Sequence, residues 1–143
     1  PLAFMMTRSV EKNALIKVQT YIDAGLLMMV VGLSMGLVSD AINSAELSAE
    51  SDLIGGAIGG TGWSIMYLGI FFTGLGYLCT NLFPNWLSGL LSVASLVMFA
   101  IFALLSSEQL SNSGENIVGP LWMINSLVLV ILGIFTIRRA ELD

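Results

Sequence analysis

The chain has no histidine and a single cysteine, Cys79, among its 143 residues. Without histidine it lacks the usual ligands of haem, copper, zinc and non-haem iron sites. One cysteine forms no disulfide within the chain and no redox thiol pair, which excludes the chemistry of thiol-oxidising four-helix membrane enzymes. Charge is also scarce, at 10% of residues, where a soluble domain carries roughly 25%. Only five residues are basic, and they form no patch suited to nucleic acid. No cofactor, metal ligand set or catalytic residue is expected.

What the chain has instead is apolar length. It is 56% hydrophobic, with a mean hydropathy of +0.89. Leu53 to Ser107 runs for 55 residues without Asp, Glu, Lys or Arg. Pro84 divides that stretch into runs over residues 62–83 and 86–105, each long enough to cross a bilayer core of about 30 Å as a helix. The five-residue connection from Asn81 to Asn85 makes these two spans antiparallel neighbours, with Asn85 as the expected N-cap of the second. Two further spans are read over residues 21–38 and 118–137, the last opening on Gly119-Pro120, where a proline is harmless in the first turn. The expected fold is all-α, an integral membrane four-helix bundle.

Outside the spans, residues 1–20 place Met6, Val10, Ala14 and Val18 four apart among Arg8, Lys12 and Lys17, the pattern of a short interfacial amphipathic segment or a lead-in to the first span. Residues 139–143 form a short tail. The long connection over residues 39–61 is acidic and carries the run Gly55-Gly56-Ala57-Ile58-Gly59-Gly60, which reads as a flexible break before the second span. It is not a phosphate loop, since it has neither the Lys-Ser/Thr ending nor a preceding strand. Residues 106–116 form a second polar connection.

Charge placement gives the expected topology. With four spans all five bases fall on the side of the termini, and six of the ten acids fall on the other. The positive-inside rule then puts both termini in the cytoplasm and the loops 39–61 and 106–116 outside. A plasma or other energy-transducing membrane is the expected location. A three-span reading would put Arg138 and Arg139 opposite Arg8, Lys12 and Lys17, and is rejected.

Helices in lipid associate through small residues that let backbones approach. Gly25, Gly32, Gly36 and Ser39 mark such a stripe in the first span, and Gly69, Thr73, Gly76 and Thr80 in the second. Ser88, Ser92 and Ser95 do so in the third, and Gly119, Ser126 and Gly133 in the fourth. Two polar residues stand out against this background. Asp23 lies near the start of the first span, on the face opposite the glycine stripe, and reads as interfacially solvated about one turn in from Thr20. Asn125 lies about two turns into the fourth span and reads as a hydrogen-bonding contact to a neighbouring helix.

These features predict a non-catalytic accessory subunit of a larger integral membrane complex, of the respiratory or membrane-bound monooxygenase type. Its partners would be larger membrane subunits and lipid, with Asp23 facing a partner. The alternative is a small homo-oligomeric transporter or channel with Asp23, Asn125 and the Thr73/Thr80 face along its path. A lipid- or quinone-directed enzyme would have only Cys79 as nucleophile and no histidine to activate it.

Overall fold

A computed structural model describes residues 16–45, 48–80, 83–105 and 114–140. It is all-helical among these residues. Helix α1 spans Ile16–Ser44, α2 Ala49–Thr80 and α3 Asn85–Leu104; a π-helical turn over Gly114–Val118 leads into α4, Gly119–Ala140. Each of the four helices is long and apolar enough to cross a membrane. Most of the expected N-terminal segment, all of residues 1–15, lies outside the described residues, as do residues 106–113 and 141–143.

Packing follows chain order, α1 on α2, α2 on α3 and α3 on α4, with the first interface the most extensive and the last the least. In α2, 56% of the apolar window is buried inside the molecule, but only 17% in α4. The buried core runs from Val18 and Ile22 of α1 through Met66, Tyr67, Ile70 and Tyr77 of α2. It continues through Leu87, Leu91 and Met98 of α3 to Val128 and Leu132 of α4.

The first two helices are longer than the apolar runs suggest. The run from Gly55 to Gly60 is not a break: it lies within α2, which begins at Ala49. Glycine in a helix costs roughly 0.5–1 kcal/mol relative to alanine, and here the cost is offset by close approach to α1. A Cβ on Gly59 would meet the Ser39 side chain, and one on Gly55 would overlap Asn43. The Ser39 hydroxyl donates to the Gly55 carbonyl at 2.7 Å. The start of α2 is fixed by Ser48 and Ser51. The Ser51 amide donates to the Ser48 hydroxyl oxygen at 3.2 Å, and the Ser48 amide to the Ser51 hydroxyl oxygen at 2.9 Å. This is a reciprocal cap with serine in the place usually held by Glu or Gln. Glu50 and Asp52 stand in the first turn, favourable against the helix dipole.

Tyr67 stacks on Phe102 at 5.7 Å, close to the end of α3. Residues 49–61 of α2 therefore run past α3 together with the last turns of α1, and carry Asp40, Glu50 and Asp52 exposed near their tip. At the opposite end Pro84, not Asn85, is the N-cap of α3, and its carbonyl accepts from the amides of Leu87 and Ser88 at 2.9 and 3.2 Å. Asn85 is the first residue inside the helix.

Candidate functional site

The small-residue stripes of α1 and α2 lie against each other. A Cβ on Gly25 would come 2.5 Å from the Gly69 carbonyl oxygen, and one on Gly69 would come 2.5 Å from that of Gly25. A full turn or two away Gly32 and Gly62 meet in the same manner, and Gly76 holds Ile22. Such distances leave no room for a side chain on either helix, so backbone packs directly on backbone. Gly36 is buried but looser, since its Cβ direction reaches only Trp63, at 4.0 Å. Thr73 lies beside Gly25, and its hydroxyl donates to the Gly69 carbonyl at 3.0 Å.

Between α2 and α3 the close contact is Gly74 on Ser92. The Ser92 hydroxyl donates to the Ser88 carbonyl at 2.9 Å, so it is satisfied within its own helix. Two hydroxyls near this contact are not satisfied. The Tyr77 phenol and the Ser88 hydroxyl are fully buried and have no hydrogen-bond partner. The Tyr77 ring stands edge-on to Phe83 at 4.8 Å.

Asn125 joins α4 to α3. It is buried, its Oδ1 accepts from the Ser95 hydroxyl at 2.9 Å, and its Nδ2 donates to the Leu121 carbonyl at 3.1 Å. Both ends of the amide are thus engaged. Interhelical hydrogen bonds of this kind in membranes contribute about 0.6 kcal/mol on average and up to about 1.7 kcal/mol. Gly133 is buried and Ser126 half-buried on the same helix.

Asp23 is exposed, on the side of α1 turned away from α2. The structure does not bring it together with Asn125, which is enclosed between α3 and α4. Thr73 and Thr80 are spent on the Gly69 and Tyr77 carbonyls, and Cys79 is exposed. Among the described residues no group of three or more His, Cys, Asp or Glu side chains could hold a metal ion.

The outer sides of α1 and α2 enclose an open apolar groove of about 320 Å³, lined by Val30, Val31, Ser34, Met35, Val38 and Ile58. It depends on Ile58 standing on a helix, and so on the glycine-rich run being helical. The Ser34 hydroxyl in the groove donates to the Val30 carbonyl at 2.8 Å, which leaves the lining effectively apolar. No protein-family model, curated protein or solved structure matches the chain.

Proposed function

We propose that this chain is a non-catalytic accessory subunit of a larger integral membrane complex, of the respiratory or membrane-bound monooxygenase type, which it braces by packing against a catalytic subunit. The reading puts both termini in the cytoplasm of a plasma or other energy-transducing membrane. The observation that carries it is the division of polar groups between inside and outside. The interior hydroxyls and amide with partners are spent on helix carbonyls or on each other, as in Ser39 to Gly55 and Ser95 to Asn125. The one acidic residue within residues 21–38, Asp23, is instead exposed on the side of α1 turned away from α2. A carboxylate costs about 2.5–3.5 kcal/mol at the centre of a lipid-facing helix, and membrane proteins offset such costs by pairing.

Depletion of the chain from its native membrane tests this. The assembled complex should fall in amount in proportion, while turnover per surviving complex stays unchanged. Loss of turnover in fully assembled complexes would instead give the chain a part in the chemistry. The transporter alternative predicts solute flux by the purified chain alone in liposomes, abolished in Asp23→Asn.

A further inference from the structure

Asp23 stands deeper among the helices than its place near the start of the apolar run implies. Ile22 is held by Gly76, and Gly25 lies against Gly69 and Thr73, so Asp23 is level with about Gly74. Gly74 in turn rests on Ser92, the eighth residue of the 20-residue α3. At 1.5 Å per residue α3 is about 30 Å long, the thickness of one hydrocarbon core, and Asp23 lies about 10 Å inside its inner end. A lipid-facing carboxylate at that depth carries a solvation cost that pairing with a base offsets.

Among the described side chains the one base is Arg138, in the last turn of α4 and not at this level. A second copy meeting this face with the same face of its own would set Asp23 against another Asp23 or the apolar residues of α1. The groove lies on the same side of α1. Successive residues advance about 100°, so Asp23, Leu27, Val30 and Ser34 share a face, and the last two line the groove. Leu27 between them is 66% exposed.

From the level of Asp23 along the bundle, its exposure and the groove farther along the same face, we infer that this face of α1 seats one transmembrane helix of a larger subunit. That helix carries a Lys or Arg within its span, opposite Asp23. The inference rests on the accessory-subunit reading and gives that partner its chemistry. Apolar side chains of the helix fill the groove, and the ion pair fixes its register, as charged pairs within membranes do.

The test places a photo-cross-linking amino acid at Leu27 of the full chain in its native membrane and compares wild type with Asp23→Asn and Asp23→Glu. The cross-linked peptide should map to a span of a larger subunit, with a Lys or Arg within about one helical turn of the cross-link. Asp23→Asn should lower the co-purified partner at least tenfold with helix content unchanged by circular dichroism, and Asp23→Glu should retain it. Exchanging the two charges between the subunits should restore association. Cross-linking only to lipid or to another copy's α1 would overturn the inference. So would wild-type co-purification of Asp23→Asn, which leaves the accessory role standing while removing the pairing. A wild-type chain that runs only as a homo-oligomer overturns both.

Discussion

Gly32 and Gly62 pack backbone against backbone across α1 and α2. A Cβ on Gly32 would lie 2.5 Å from the Gly62 carbonyl oxygen, and one on Gly62 would lie 2.9 Å from that of Gly32. Rigid backbone stands in both directions, so a side chain at either position requires the two helices to move apart. Gly32→Ala or Gly62→Ala should therefore destabilise the folded chain by about 1–3 kcal/mol, the usual range for overpacking. Gly56 and Gly60 offer the internal comparison, since a Cβ on either meets nothing within 4 Å. Gly56→Ala and Gly60→Ala should stabilise by roughly 0.5–1 kcal/mol through helix propensity alone. Unfolding in bicelles followed by steric trapping measures all four, and a uniform response across the set would contradict the seam.

Ser95 and Asn125 supply a polar link between α3 and α4, whose interface is the least extensive of those between consecutive helices. A double-mutant cycle on Ser95→Ala and Asn125→Ala should give a coupling energy of about 0.6–1.7 kcal/mol. Asn125→Ala alone should cost more than Ser95→Ala, because Asn125 also holds the Leu121 carbonyl. Additive effects would mean that the two side chains do not meet in the bilayer.

Much of the architecture was legible in composition, because 20-residue apolar runs in a poorly charged chain have few alternatives to spanning helices. The small-residue stripes named Gly25, Gly32, Gly69 and Thr73 from spacing alone, but which glycine meets which depends on the register between α1 and α2. The Gly55 to Gly60 run reads as a break by propensity, which is a statement about helices in water. Ser39 and Asn43, packed on those glycines from a different helix, reverse it. The level of Asp23 along the bundle, beside Gly74 and Ser92, likewise depends on the register between helices and not on its distance from Thr20. Asn125 stood out as a polar residue at depth, whereas its partner Ser95 could have bonded its own helix. The groove is not legible in the sequence, since Ile58 falls in the glycine-rich run that propensity assigns to the connection between the first two spans.

The Tyr77 phenol and the Ser88 hydroxyl are buried without partners. Removing an unsatisfied hydroxyl while keeping the shape of the side chain is neutral or favourable. Tyr77→Phe should therefore keep or raise stability, by up to about 1 kcal/mol, and preserve the edge-on contact with Phe83. A loss above that amount in the same unfolding assay would show that the phenol is hydrogen-bonded in the membrane.

The measurement that bears most directly on the accessory role is purification of the chain from its native membrane in mild detergent, followed by native mass spectrometry. A stoichiometric complex with one or more larger membrane subunits is the predicted result. Particles made only of 15.3 kDa units would contradict it.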